Sequence, residues 1–105
     1  MSLQKIVAGD YGYEIELEYI DVDTNSAADL SAYTTTQTIQ IRAPDGSIGT
    51  LSGSFSTDGT DGLVKAVVTD GAIPEKWQNK PCAARIQVTR TGGKLSSEWE
   101  EFSPS

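Results

Sequence analysis

The 105 residues carry fifteen acidic side chains against eight basic ones, a net charge of −7, with 37% hydrophobic and 22% charged residues. That composition belongs to one globular domain, able to bury roughly 65% of the surface its unfolded chain exposes, and not to a disordered tail. The acidity, with the eight basic residues scattered (Lys5, Arg42, Lys65, Lys76, Lys80, Arg85, Arg90, Lys94), argues against nucleic acid or an anionic membrane as partner.

In chain order the pattern is one short strand after another. Met1-Ser2-Leu3 is compatible with a cloning scar and carries no weight; residues 4–8 then read as a short strand at a sheet edge. Gly9 and Gly12 permit a bend. From Tyr13 to Tyr19 apolar and acidic residues alternate without a break. A strand over residues 13–21 therefore puts Tyr13, Ile15, Leu17 and Tyr19 on one face and Glu14, Glu16 and Glu18 on the other. Residues 22–31 are polar and read as a loop, with Leu30 as an apolar plug beneath it.

The β-branched stretch 34–42 predicts a strand whose apolar face holds Ile39 and Ile41. Pro44-Asp45-Gly46 turns the chain, since proline presets φ and glycine accepts a positive value. A weaker strand over 48–55 sets Leu51, Gly53 and Phe55 on one side, and two Asp-Gly signals within 57–62 lead into a Val-rich strand over 63–69. Residues 70–77 have room for one helical turn, ended by Pro81. The strand 82–89 follows, with Cys82, Ala84, Ile86 and Val88 in period two and Cys82 read as a small buried core residue. Gly92-Gly93 joins it by a hairpin to a last strand over 94–102.

About seven short strands and no long helix predict a single all-β domain over residues 1–105, an immunoglobulin-like antiparallel β-sandwich, with a small barrel as the alternative. Ile15, Leu17, Ile39, Ile41, Val64 or its neighbour, Ile86 and Val88 are its expected core.

The order of features resembles a known family. Gly9-Asp10 precedes the alternating strand and an Asp-rich turn; Asp29-Leu30-Ser31 and the run from Ile39 through Pro44-Asp45-Gly46-Ser47 come next; Gly62-Leu63-Val64, the Pro81-led strand and Ser97-Glu98-Trp99-Glu100-Glu101-Phe102 complete it. Over residues 6–102 the chain resembles the immunoglobulin-like N-terminal domain of phage baseplate upper proteins and related prophage tail modules. The resemblance implies a virion tail or baseplate component, assembled in the host bacterial cytoplasm, that organises other tail or baseplate proteins and catalyses nothing. Little or only weak self-association is expected of the isolated domain in dilute solution, since a weak edge contact is reinforced only when many copies are held together. Family members often continue into a longer chain that trimerises or binds a receptor module, whereas this sequence stops at Ser105.

No motif points to catalysis or to a cofactor. A lone Cys82 forms no intrachain disulfide, and a chain without histidine has no Cys–His nucleophile pair. Asp21, Asp23, Asn25 and Asp29 have the oxygen spacing of the first half of a calcium loop. Ser26 stands where that loop needs glycine and Ala32 where it needs a bidentate acid, so an Asx-stabilised turn is the better reading and no metal is expected. Glu14, Glu16 and Glu18 read as a solvated strand face that discourages edge-to-edge pairing. The carboxylate pairs among Glu98, Glu100 and Glu101 lie on an exposed terminal strand without a pocket signal. Trp99 shares its alternation face with Leu95 and Ser97 and is expected in the core. Trp77, Tyr11 and Tyr33 are the candidate partner-binding residues, Trp77 either capping the open end of the sandwich or standing out as an anchor. A surface adhesion or carbohydrate-binding module is the alternative function, with Tyr11, Tyr13, Tyr33 and Trp77 as stacking aromatics.

Overall fold

Alternation in the sequence becomes layering in the structure. The computed structural model describes residues 7–105. Its strands are β1 (Glu14–Glu18), β2 (Ile20–Asp21), β3 (Ser26–Ala27), β4 (Thr36–Arg42), β5 (Ile48–Phe55), β6 (Leu63–Val67), β7 (Cys82–Arg90), β8 (Gly93–Ser96) and β9 (Glu100–Phe102). Every pairing is antiparallel. One layer runs β1-β6-β5 and the other β5-β4-β7, with β8 and β9 both lying along the far side of β7. The hairpin β2–β3 stands apart as a two-stranded sheet.

Strand β5 belongs to both layers. Its residues 48–52 pair with β4 and residues 53–55 with β6, so the strand bends from one layer into the other at Gly53. A Cβ at Gly53 would lie 2.7 Å from the Lys65 carbonyl oxygen and 3.2 Å from that of Gln37, a spacing only glycine tolerates. The result is an antiparallel β-sandwich. It is not the alternative barrel: among the described residues β1 pairs only with β6, while β8 and β9 pair only with β7, so the sheet does not close.

The core lies between the layers. Ile15, Leu17, Val64, Ala66 and Val68 come from one side and Ile39, Ile41, Leu51, Ala84, Ile86 and Val88 from the other. Leu30 and Ile73 close its two ends as fully buried loop residues. Leu30 is thus the plug that the polar loop around it suggested, and Cys82 is buried as its period-two position implied.

The largest departures from the sequence reading concern four elements. Of the edge strand expected over 4–8, residues 4–6 lie outside the described residues; Val7 and Ala8 are irregular, and the Ala8 N–H bonds the Ser105 carbonyl at 2.9 Å. The strand expected over 13–21 leaves the β1–β6 ladder at Tyr19, whose N–H goes to Gly62 O and whose carbonyl accepts the Ala28 N–H. The chain then enters β2–β3 around Asn25, in left-handed conformation at φ 53°. The helical turn is a 3₁₀ turn at Glu75–Trp77. The last strand is two strands, β8 and β9.

Candidate functional site

The open side of the sandwich lies between its two edges that are unpaired among the described residues, β1 with the β2–β3 hairpin on one flank and β8–β9 on the other. A cleft of about 950 Å³ occupies it, lined by residues 19–22, 27–29 and 95–100 together with Tyr33. The Tyr19 hydroxyl donates to the Ser96 carbonyl at 3.0 Å and ties the flanks together. Burial first, and the neighbouring Asp21 charge second, raise the Tyr19 pKa above its ordinary value. The acidic residues Asp21, Asp29, Glu98 and Glu100 line the cleft, and no basic side chain does among the described residues.

The break between β8 and β9 shapes this flank. Ser96 pairs with Gln87 and Glu100 with Ala84, so four steps along the edge match three along β7. The extra residue is a β-bulge, which shifts the alternation by one. Ser97 holds the bulge: its N–H bonds the Ile86 carbonyl at 2.9 Å, while its hydroxyl accepts the Ile86 N–H at 2.9 Å and donates to the Glu98 carbonyl at 3.0 Å.

Because of that shift, Trp99 does not share a face with Leu95, and its expected core position is corrected here. Leu95 packs against the core, whereas Trp99 lies on the outer face of the β4–β7 layer. There the Arg85 and Arg42 guanidinium carbons sit 4.5 Å and 4.9 Å from the centre of its ring, within cation–π range. Arg85 Nε also donates to Gln40 Oε1 at 2.7 Å. Ala83, on the outer face between Arg42 and Glu101 in register, is 0% exposed beneath this cluster. The same shift turns Glu100 inward, opposite Ala84; its Oε2 is buried with no hydrogen-bond partner among the described residues.

The residues singled out from sequence fall in separate places. Tyr33 lines the cleft, with the Arg90 guanidinium 5.3 Å from its ring centre and its carbonyl accepting Gln37 Nε2 at 2.7 Å. Trp77 is half-buried against the core at the other end of the sandwich, beside Ile41, Leu51 and Ala72 along a smaller cleft of about 250 Å³. Tyr11 is exposed in the segment leading into β1, and Tyr13 packs partly against the core with its hydroxyl on the Val7 carbonyl. These aromatics do not converge on one surface.

Asp21, Asp23, Asn25 and Asp29 do not converge either. Asp21 Oδ1 accepts the Asp23 N–H at 2.9 Å, closing an Asx turn, and the Asn25 N–H bonds the Asp21 carbonyl. Asp29 Oδ1 is held by the Ser31 N–H and hydroxyl at 3.0 and 2.6 Å. Among the described residues no cluster of three or more acidic or sulfur groups is placed to hold a metal ion.

The residues missed from sequence are Tyr19, Arg42 and Arg85. Alternation gives Tyr19 a face but not a partner, and the arginines are scattered in sequence because 42, 85 and 99 meet only through the register of β4 and β7 and the bulge before β9. Comparison of the chain with protein-family models, with curated proteins and with solved structures found no match.

Proposed function

We propose that this domain is a structural module of a phage or prophage tail or baseplate, assembled in the host bacterial cytoplasm, that holds neighbouring protein chains and transforms no substrate. The observation that carries the reading is the open side of the sandwich: two strand edges without partners among the described residues, flanking an acidic cleft. Unpaired edges offer rows of N–H and C=O groups that a neighbouring chain completes as an added strand. The resemblance of the motif order to baseplate and tail modules suggests the biological setting, and the acidic balance suits protein rather than nucleic-acid neighbours. The acids Asp29, Asp45 and Asp58 are each tied into a turn that lowers their pKa, the opposite of what a general acid at neutral pH requires.

A second reading, an adhesion or carbohydrate-binding module, is favoured by one feature, the placing of Tyr19 and Tyr33 among carboxylates in the cleft. The test is to tag the chain in its host and purify particles. The chain should co-purify with tail structures in constant proportion. Its absence from particles, together with retention of the purified domain on a polysaccharide matrix, would replace the first reading by the second.

A further inference from the structure

We infer that copies of this domain stack face to back, the outer face of the β4–β7 layer of one copy resting on the outer face of the β1–β6 layer of the next. This deepens the structural-module reading, on which it rests, by naming a second copy of the chain as one neighbour. The β4–β7 face carries Arg42 and Arg85 gathered on Trp99, and neither has a carboxylate partner among the described residues. The two guanidiniums held on one ring repel each other, Glu101 on the same face forms an ion pair with neither, and the face favours an anionic neighbour.

The opposite face of the sandwich supplies that charge. Glu14, Glu16 and Glu18 point outward from β1, away from Ile15 and Leu17. Glu14 reaches Lys65 only at 3.8 Å between exposed side chains, Glu16 accepts the Ser56 hydroxyl, and Glu18 has no partner among the described residues. Alternate residues on a strand stand about 7 Å apart. The two guanidiniums, 4.5 Å and 4.9 Å from one ring centre, are separated by no more than the sum of those distances, so at any one time they face at most two neighbouring glutamates of the stripe.

Apolar surface follows the same arrangement. Among the described residues the exposed large apolar side chains are Val7, Tyr11, Val22, Ile48 and Val67, and only Ile48 and Val67 lie on strands. Ile48, 53% exposed, pairs directly with Arg42; Val67, 49% exposed, pairs directly with Glu14. Each face thus sets an exposed aliphatic side chain beside a charge, and the charges are opposite. Because the faces differ, the contact is heterologous: each copy keeps one face free, and growth ends in a closed ring or an open filament. The net charge of −7 opposes approach at long range, so the contact is weak in dilute solution and strong only when several copies are held together.

The test is sedimentation of the purified domain from micromolar to millimolar concentration, with two neutralised variants. Wild type should associate reversibly. Arg42→Gln/Arg85→Gln loses one face and Glu14→Gln/Glu18→Gln the other, and each alone should associate about tenfold more weakly or worse. Mixed in equal amounts they should recover the wild-type contact and stop at a one-to-one dimer, since each supplies the single intact face the other needs. If melting shows the arginine variant to be misfolded, Ile48→Ser takes its place. A wild type that stays monomeric to millimolar concentration, or a mixture that associates no better than its parts, overturns the inference. Incorporation into particles by a monomeric wild type would sink the stacking and leave the tail reading intact, and association in solution without incorporation would do the reverse.

Discussion

Asp29, Asp45 and Asp58 repeat one device. In each, Oδ1 accepts both the backbone N–H, at 3.0 Å, and the hydroxyl, at 2.6 to 2.7 Å, of the serine or threonine two residues on. The bond from the hydroxyl, then that from the N–H, stabilises the ionised form and lowers each carboxyl's pKa below its ordinary value. A depressed folded-state pKa contributes stability above the unfolded-state value near 4, and that contribution is lost as pH falls through the folded-state value. Replacing Ser31, Ser47 and Thr60 together with Ala should leave less stability at pH 7 to lose and so flatten the fall as pH drops below the ordinary carboxylate range in denaturant titrations. An unchanged acid limb would show that the turns contribute nothing. The turns at Asp45 and Asp58 are legible at this scale, because Pro-Asp-Gly and Asp-Gly are local patterns. Trp99 is not, since its side depends on a residue count against a partner strand.

Among the elements, β5 carries the most information in one residue. Gly53→Ala should destabilise the fold by about 1–3 kcal/mol, because its Cβ collides with backbone carbonyls that cannot move away. Gly49, in the same strand, meets nothing within 4 Å, so Gly49→Ala should change stability by less than about 0.5 kcal/mol. Equal effects in paired urea melts would remove the claim that Gly53 is where the strand changes layer. Strand existence was readable from alternation, as Ile15 and Leu17 or Ile39 and Ile41 demonstrate, since a half-buried strand must alternate. What alternation cannot carry is a change of register. The bulge at Ser97 adds one residue and reverses every later side chain, and the bend at Gly53 assigns one strand to two partners. Each is an event between strands, invisible within either. The cleft, bordered by segments distant in sequence, was hidden for the same reason, although Tyr33 on its wall had been singled out.

At the scale of the molecule, the Tyr19–Ser96 bond spans the side where, among the described residues, no ladder joins the layers. Tyr19→Phe should cost about 1 kcal/mol. A tyrosine pKa raised by burial contributes stability that is complete below about pH 10 and lost as pH rises through the folded-state value, so wild-type stability should decline there. The variant should decline less steeply, keeping the parts due to the similarly raised Tyr13 and the buried Cys82 thiol; an identical alkaline limb would show that the bond does not hold the flanks. On the opposite side the layers are one continuous chain through β5, and this has a consequence for how the protein opens. Neither layer can peel from the other while β5 remains paired at both ends, so partial opening is confined to the β1 and β8–β9 flanks. Amide hydrogens of residues 50–54 should therefore exchange with solvent deuterons only through complete unfolding, whereas those of β2, β3 and β9 exchange by local fraying. The strand that bends between the layers makes two sheets into one cooperative unit, hinged open on a single side.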